Sequence, residues 1–291
     1  MRALRRSTLP VTLLLPSFVL YLVFALIPIA NTAQLSLFKW DGFSDEMPFV
    51  GSQNYTYIFT DSTFWQAFWR NVEWTVMTLV FAVGFALVLA AILARLPRGR
   101  AFFRVTFFLP NVVSLAVVGV LWGQLYDPLA GPLNLVMRHV GLGGLARLWL
   151  GDPATVLPAI NVANSWHDYG FYLVMLLAGL QAIDATLYEA AIVDGAGALA
   201  LFRHVTLPGL RNVLNLVLIL AFVNSLRGFT TVWIMTQAGP VLASDVLATY
   251  IYRAAFLVNQ LGPASAAAVV LSLLVIATTL LFNRLREEEV A

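Results

Sequence analysis

Several polar side chains that could bind a solute lie inside two of the most apolar stretches of this sequence. Amide, carboxylate and guanidinium groups and an indole ring offer hydrogen bonds and a stacking face, and they are costly in an apolar environment unless they are paired or functional. The candidates are Asn161, Asn164, Trp166, Asp168, Asn224 and Arg227. A second polar segment, residues 187–210, joins the two stretches and combines charged side chains with glycines and a proline.

Catalysis is not expected from these residues. The histidines, His139, His167 and His204, lie in three different segments, so no set of nucleophile, base and acid can be assembled. The sequence contains no G-x-x-x-x-G-K-[ST] loop of the kind that holds ATP phosphates. Cysteine is absent, which excludes thiolate metal sites. We therefore expect a chain that is not an enzyme and binds no cofactor or metal of its own.

The composition indicates that the membrane is the main solvent of this chain. Of the 291 residues, 60% are hydrophobic and 11% are charged, and the mean hydropathy is +0.83. A soluble domain would be about half apolar and about a quarter charged. The formal net charge is only +2, and no basic run is interleaved with stacking aromatics, so nucleic acid is not an expected partner. We interpret the chain as an integral membrane protein in contact with the lipid bilayer.

Six stretches are long and apolar enough to cross a bilayer as helices, because about 20 residues span its hydrocarbon core. The N-terminal one follows a basic segment, as in a signal peptide, but it is longer than the roughly 7–15 apolar residues of a cleaved signal, which predicts an uncleaved span. Residues 128–155 are interrupted by prolines and glycines and predict an external loop with a short interfacial helix. The expected fold is all-α, in one transmembrane domain. Its predicted spans are about 11–37, 71–94, 105–126, 156–180, 213–236 and 264–283.

The basic residues predict the orientation, because Lys and Arg are enriched in short segments on the cytoplasmic side. With both termini in the cytoplasm, eleven of the seventeen basic residues fall on the inner side and five on the outer side, with Arg227 inside a span. Residues 187–210 then form a cytoplasmic loop between the fourth and fifth spans. The inner basic residues are Arg2, Arg5, Arg6, Arg95, Arg98, Arg100, Arg104, Arg203, Arg211, Arg284 and Arg286.

The same orientation places two opposite charges at similar depth. At about 1.5 Å of rise per residue, Asp168 lies roughly 18 Å from the inner end of the fourth span, and Arg227 about 21 Å from that of the fifth. One hypothesis is a buried ion pair that belongs to a solute pathway. The alternative is a structural pair that neutralises two costly charges and orients the bundle.

Residues 187–210 predict two short helices joined at a flexible point. The run 189–191, Glu-Ala-Ala, suits a first helical turn, and Gly195 and Gly197 each lower helix propensity by about 1 kcal/mol relative to alanine. A second helix over 198–205 would end near Pro208. Such a pair of helices could present a docking ridge to a cytoplasmic partner, or could be a connector that packs only against its own bundle.

The spacing in this loop resembles the EAA loop of the permeases of binding-protein-dependent ABC importers. Their pattern is E-A-A, three residues, G, nine residues, an aliphatic residue, one residue and L-P, and each step of that spacing is kept. The matching residues are Glu189, Ala190, Ala191, Gly195, Val205, Leu207 and Pro208, and Asp194, Ala196 and Gly197 extend the match to the D-G-A-G form of the carbohydrate-uptake branch.

Three further segments, 49–75, 102–134 and 250–271, are similar to other parts of the sugar permeases, so the resemblance covers most of the chain. The departures are small: Val205 stands where isoleucine is usual, Val72 where threonine is usual, and Pro263 where an aromatic is often found. The last two changes lie outside the EAA loop.

The resemblance implies a type I ABC importer permease fold and a part in the import of a sugar. It also implies that residues 187–210 form coupling helices seated in a cleft of an ATP-binding subunit, with Glu189 facing a basic group there and Gly195 allowing the turn. The implied partners are a second permease in a heterodimer, two cytoplasmic subunits that bind ATP and Mg²⁺, and an extracytoplasmic solute-binding protein. The implied location is a bacterial or archaeal inner membrane.

A sugar pathway should offer amides, hydroxyls and an aromatic face, and Asn161, Asn164, Trp166 and Asn224 are the expected lining residues. A secondary transporter or channel that works without ATP is the alternative function. Against it stand the long cytoplasmic loop and the absence of an internal repeat or a pair of discontinuous spans, which many secondary carriers have.

Overall fold

The computed structural model describes residues 14–94 and 99–288, and almost all of its regular structure is helical. Within that part of the chain, the only β-type pairing is an isolated bridge between Phe38 and Phe49. The all-α prediction is therefore confirmed. The helices are α1 (Leu14–Leu35), α2 (Gln53–Thr60), α3 (Ser62–Leu93), α4 (Arg100–Val112), α5 (Leu115–Leu125), α6 (Pro132–His139), α7 (Val156–Gln181), α8 (Ala185–Val193), α9 (Ala198–Gly209), α10 (Arg211–Leu226), α11 (Thr230–Thr236), α12 (Leu247–Tyr252) and α13 (Leu261–Glu288).

Some of the sequence predictions fall outside these described residues. They are the first three residues of the predicted first span, 11–13, and five of the basic residues assigned to the inner side. Those five are Arg2, Arg5, Arg6, Arg95 and Arg98.

Helix length and composition are compatible with up to six membrane spans. Three helices meet the requirement alone: α1, α3 and, over Leu261–Phe282, α13. Three bent pairs meet it together, namely α4 with α5, bent by 93°, α7 with α8, bent by 73°, and α9 with α10, also bent by 73°. The upper count equals the number of spans predicted from the sequence.

Two of the predicted spans are discontinuous. The stretch 105–126 is divided between α4 and α5 at residues 113–114, and the stretch 213–236 is divided between α10 and α11 at residues 227–229. Pro110 lies in the last turn of α4, where its missing N–H weakens the continuation of the helix. The predicted absence of discontinuous spans, which counted against a secondary carrier, is therefore wrong.

The other predicted spans differ from the helices mainly in their bounds. The stretch 71–94 belongs to a longer helix, α3, which starts at Ser62 directly after Asp61. Partial burial raises the pKa of Asp61, but hydrogen bonds from Thr63 and Tyr250 outweigh this effect and leave that pKa below its usual value. Residues 128–155 contain the short helix α6 and a 3₁₀ turn over Gly143–Leu145, as expected of an interrupted loop.

The described residues form two compact units. The smaller one comprises residues up to Phe64 together with Tyr250–Leu273. Its N-terminal part is held by Asn54, whose amide nitrogen donates to the backbone oxygens of Ser36, at 2.8 Å, and Phe38, at 2.9 Å.

The larger unit comprises Trp65–Thr249 and residues from 274 onward, and it contains both candidate functional regions. Helix α7 runs through its core, where Tyr172, Leu173 and Leu176 pack against α3 and α10. Small residues allow helices to approach closely in a membrane. A Cβ added to Gly170 would stand only 2.3 Å from the backbone oxygen of Phe107, so α4 crosses α7 at a point that requires glycine.

Candidate functional site

The turn between α8 and α9 is built on Gly195. This residue has a φ of 81°, in the left-handed region, and no atom lies within 4 Å of the position that a Cβ would take. Helix α8 closes there with two hydrogen bonds, from Gly195 N to Ile192 O at 3.0 Å and from Ala196 N to Ala191 O at 2.9 Å. This pair is the Schellman arrangement, so Gly195 is required for its backbone conformation and acts as a defined helix stop.

Side-chain hydrogen bonds fix the start of α8 and join it to α9. The Asp184 carboxylate accepts from Thr186 N at 2.9 Å, which caps the helix and lowers the pKa of Asp184. The hydroxyls of Tyr188 and Thr206 lie 3.1 Å apart, and Thr206 also donates to Leu201 O at 3.3 Å. The two helices of the loop are therefore tied together directly beside Glu189.

Two close contacts attach the end of α9 to α7. A Cβ on Gly209 would stand 2.7 Å from the Ile183 side chain, just beyond the end of α7. A Cβ on Gly179 would stand 2.9 Å from the side chains of both Leu210 and Val213. Helix α9 ends at Gly209, one residue after Pro208, and the chain turns by 73° into α10. The loop is thus packed directly against the adjoining ends of α7 and α10.

The outer surface of the loop carries an acid and apolar side chains. Glu189 is exposed and makes no hydrogen bond or ion pair within the described part of the chain. Val193 is 86% exposed and Leu199 is 79% exposed, which is unusual for aliphatic residues of a packed connector. Among the other EAA residues, the exposed ones are Ala190, Asp194, Gly195, Gly197 and Pro208, and the half-buried ones are Ala191, Ala196, Val205 and Leu207.

A polar cavity of about 390 Å³ lies where α7 faces the break between α10 and α11. Four of the six polar candidates line it: Asn164, Asp168, Asn224 and Arg227. The other lining residues come from α3, α5, the end of α10, the break and α11. They are Trp74, Thr78, Leu115, Ser225, Gly228, Phe229, Thr230 and Thr231.

The break between α10 and α11 is held by side chains of α3. Asn71 donates through its amide nitrogen to Ser225 O at 3.3 Å, and the Ser225 and Thr75 hydroxyls lie 2.7 Å apart. A Cβ on Gly228 would stand 3.2 Å from Trp74 Nε1, so the chain passes close to the indole. Interrupted backbone at membrane depth is tolerated where it is buried in protein or lines a cavity, and this segment meets that condition.

The carboxylate of Asp168 has two side-chain partners on α7. Asn164 donates through its amide nitrogen to Asp168 Oδ2 at 2.8 Å, and His167 Nδ1 lies 2.6 Å from Asp168 Oδ1. The other ring nitrogen of His167, Nε2, lies 3.0 Å from the oxygen of Val113, a carbonyl at the break between α4 and α5. Thr231 of α11 donates to Asn164 Oδ1 at 3.2 Å. One network therefore joins both broken helices to α7.

The hypothesis of an ion pair between Asp168 and Arg227 is not met in this structure. Both side chains line the same cavity, but the side chain that contacts the Asp168 carboxyl group at 2.6 Å is His167 and not Arg227. The guanidinium of Arg227 has no hydrogen bond or ion pair among the described residues. Arg227 follows the last residue of α10 directly and is the C-cap of that helix.

Two of the predicted pathway residues lie elsewhere. Asn161 is fully buried and donates to Trp74 O at 3.1 Å and to the Thr78 hydroxyl at 2.9 Å, so it holds α7 against α3. Trp166 packs edge-on against Trp122, with ring centroids 5.9 Å apart, and does not line the cavity. Trp166 projects from the opposite side of α7, whereas Asn161 shares the side of Asn164 and Asp168 but has its amide bound to α3.

Several residues of these regions are not predicted by the sequence. No feature of the sequence distinguishes Trp74 or Thr231 from their neighbours as cavity residues, and the break at 227–229 brings Thr231 to the cavity. Tyr188 and Thr206 of the loop lie 18 positions apart, and no sequence signal pairs them.

Discontinuous helices around a polar cavity, with a helical loop fixed to α7 and α10, are features of a membrane transport protein. The family "Binding-protein-dependent transport system inner membrane component" matches residues 82–287. The chain belongs to this family and is a permease subunit of an ABC importer. Its EAA loop and both broken helices lie within the matched residues.

Curated relatives and solved structures agree with this assignment. "Probable ABC transporter permease protein YurN" of Bacillus subtilis is 36% identical, over 95% of each chain. "Diacetylchitobiose uptake system permease protein NgcF" of Streptomyces coelicolor is 34% identical, over 91% of this chain and 77% of the relative. A structure of a bacterial ABC transporter involved in the import of the acidic polysaccharide alginate has the same fold, with a TM-score of 0.84, 23% identity and coverage of 99% and 98%.

Proposed function

We propose that this chain is one of two permease subunits of an ATP-driven importer that carries a sugar delivered by an extracytoplasmic binding protein. The proposal rests on one observation: the polar cavity and the exposed helical loop are attached to the same two helices. The cavity lies beside α7 and α10, and the loop is packed against both of them. A displacement of the loop would be transmitted to the walls of the cavity. This is the connection that an ATP-driven pump requires.

The EAA loop is the proposed docking site of the ATP-binding subunits. The exposed carboxylate of Glu189 would pair with a basic group of such a subunit, and the exposed side chains of Val193 and Leu199 would enter its cleft. ATP and Mg²⁺ would be held by those subunits. The second permease would be a homologous chain in a heterodimer.

The cavity is the proposed point of passage for a sugar. Its amides and hydroxyls, from Asn164, Asn224 and Thr231, suit a solute that presents many hydroxyl groups, and Trp74 and Phe229 offer aromatic faces. Two of the similar proteins are named for the uptake of diacetylchitobiose and of alginate, which are both saccharides. Asn161 and Trp166 are proposed here as structural supports of the cavity wall instead.

The proposed orientation has both termini and the EAA loop in the cytoplasm. It rests on the basic residues that flank the spans, of which Arg203 and Arg211 lie at or beside the loop. The proposed location is the inner membrane of a bacterium or an archaeon.

Co-purification of a cytoplasmic ATPase tests the docking site. The ATPase should accompany the wild-type chain from native membranes and be lost with Glu189→Arg, which reverses the exposed charge, or with Gly195→Pro, which cannot adopt a φ of 81°. Glu46→Arg is the matched control: it makes the same charge reversal at an exposed residue distant in sequence from the EAA loop, and it should keep the ATPase. Retention of the ATPase by Glu189→Arg and Gly195→Pro alike would count against this docking site.

The alternative, a secondary transporter or channel, gains one argument from the discontinuous helices, since such helices line the sites of many secondary carriers. Reconstitution of the purified chain in liposomes distinguishes the two functions. Uptake of a sugar without ATP and without other subunits would support the alternative and falsify ATP-driven import.

A further inference from the structure

The charge of the membrane cavity follows from very few groups. Among the described lining residues, Asp168 and Arg227 are the ones with an ionisable carboxylate or guanidinium, and the remainder are amides, hydroxyls, aromatics, a leucine and a glycine. His167 does not line the cavity but contacts Asp168 from α7. The net charge inside the cavity therefore depends on the protonation of the His167–Asp168 pair.

The geometry of this pair fixes its net charge at zero. His167 Nδ1 faces Asp168 Oδ1 at 2.6 Å, and Nε2 faces the carbonyl oxygen of Val113 at 3.0 Å. A carbonyl oxygen can only accept, so Nε2 must carry a proton. The short contact at Nδ1 then needs one more proton, placed on either the ring or the carboxyl group. Imidazolium with carboxylate and neutral imidazole with carboxylic acid have the same sum, zero.

The net charge of the cavity is therefore the positive charge of the Arg227 guanidinium. Arginine stays protonated in proteins, and its guanidinium has no anionic partner among the described residues. Its place after the last residue of α10 lets the negative end of the helix dipole offset part of the charge, by about half a unit at most. An uncompensated cation at membrane depth is costly, and an anion that enters the cavity would remove that cost.

We propose that the cavity recognises an anionic group of the cargo, a carboxylate, sulfonate or phosphate, through the guanidinium of Arg227. The planar guanidinium can donate two parallel hydrogen bonds to such a group, and Asn224 and Thr230 line the same cavity. Asp168 does not oppose the anion, since His167 and Asn164 occupy its two oxygens. The proposal rests on the proposed function and narrows its substrate class to acidic sugars.

The test compares two sugars that differ at one carbon, glucuronate and glucose. The importer is purified with its partner subunits, without the binding protein, in nanodiscs of phosphatidylcholine, and binding of each sugar is measured by saturation-transfer NMR. We expect glucuronate to bind at least about tenfold more tightly than glucose, as one charge-assisted hydrogen-bonded pair would give. Arg227→Gln should abolish the preference, and Arg227→Lys should retain part of it.

A matched control and the contrary outcomes complete the design. Arg138→Gln removes the same charge from the exposed helix α6 and should leave the preference unchanged. Equal binding of the two sugars, binding of neither, or a preference that survives Arg227→Gln would overturn the proposal. Loss of glucuronate binding on adding anionic lipid to the nanodiscs would also overturn it, because the anion site would then belong to a headgroup.

The experiments distinguish a failure of the anion preference from a failure of the proposed function. If glucose binds as well as glucuronate while the ATPase still accompanies the wild-type chain, the anion preference fails and sugar import stands. If no ATPase accompanies the wild-type chain, the proposed function fails whatever the sugars do.

Discussion

His167 is the side chain on which two structural features of the cavity wall depend. It satisfies the carbonyl of Val113, at the break between α4 and α5, and it forms a short hydrogen bond with the Asp168 carboxyl group. A buried acceptor or charge that loses its partner costs about 1–3 kcal/mol. Removal of His167 therefore affects the broken helix and the carboxylate together.

A double-mutant cycle measures this dependence. His167→Ala should lower the free energy of unfolding by about 1–3 kcal/mol, because the Val113 carbonyl loses its partner and Asp168 loses one of its two. Asp168→Asn should cost less in the absence of His167 than in its presence. The coupling energy expected for residues in direct contact is about 0.5–3 kcal/mol. Unfolding in mixed detergent micelles provides the measurement, and strictly additive losses would contradict the pairing.

At the scale of elements, the chain is organised by helices that cross closely or stop at defined points. The crossing of α4 and α7 at Gly170 is the tightest of these, since the obstructing atoms belong to the backbone of Phe107 and Phe108 and cannot rotate away. A methyl group there must push the two helices apart. The crossing also sets the position of the adjoining break at Val113.

Gly170→Ala is therefore expected to destabilise the larger unit by about 1–3 kcal/mol, the usual cost of overpacking a tight core. Gly123→Ala, on α5, is the control, because no atom lies within 4 Å of the added methyl group. Thermal unfolding of the detergent-solubilised chain compares the two variants. Equal midpoints for Gly170→Ala and Gly123→Ala would contradict the close crossing.

Sequence patterns predicted the elements better than the interruptions within them. Apolar length located α1, α3, α7 and α13, because insertion into lipid depends on the length and composition of a segment. The sequence did not predict the break at 227–229, because apolar residues continue on both sides of it. The side chains that hold the break, Asn71 and Thr75, lie about 150 positions earlier in the chain. The EAA spacing located the loop, since its helix stop at Gly195 is a local event.

The cavity residues were predicted only in part, because the sequence shows local spacing and does not show long-range contacts. Asn164 and Asp168 are four positions apart on α7 and share one face, as helical periodicity requires. Asn161 precedes Asn164 by three residues and was an equally suitable candidate for lining the pathway. Its amide nitrogen instead donates a hydrogen bond to the backbone oxygen of Trp74. Only the packing of α3 against α7, which involves long-range contacts, separates the supporting amide from the lining one.

At the scale of the whole molecule, the EAA loop can act on the cavity only if its attachment to α7 and α10 is stiff. That attachment depends on Gly179, where an added Cβ would meet Leu210 and the branched side chain of Val213 at 2.9 Å. Val213 lies in the first turn of α10, whose other end borders the cavity at Asn224 and Arg227. A larger residue at position 179 would separate α10 from α7 at the loop and leave the exposed surface of the loop unaltered.

Gly179→Val should therefore uncouple the importer without dissociating it. The ATPase should accompany this variant as it does the wild type, because Glu189 and Val193 remain exposed, whereas ATP-driven uptake of sugar into proteoliposomes should fall at least severalfold. Gly123→Val, which adds the same side chain at an open position on α5, should keep both properties. Normal uptake by Gly179→Val would mean that the loop reaches the cavity by another route, and joint loss of ATPase and uptake would mean that the contact serves assembly instead.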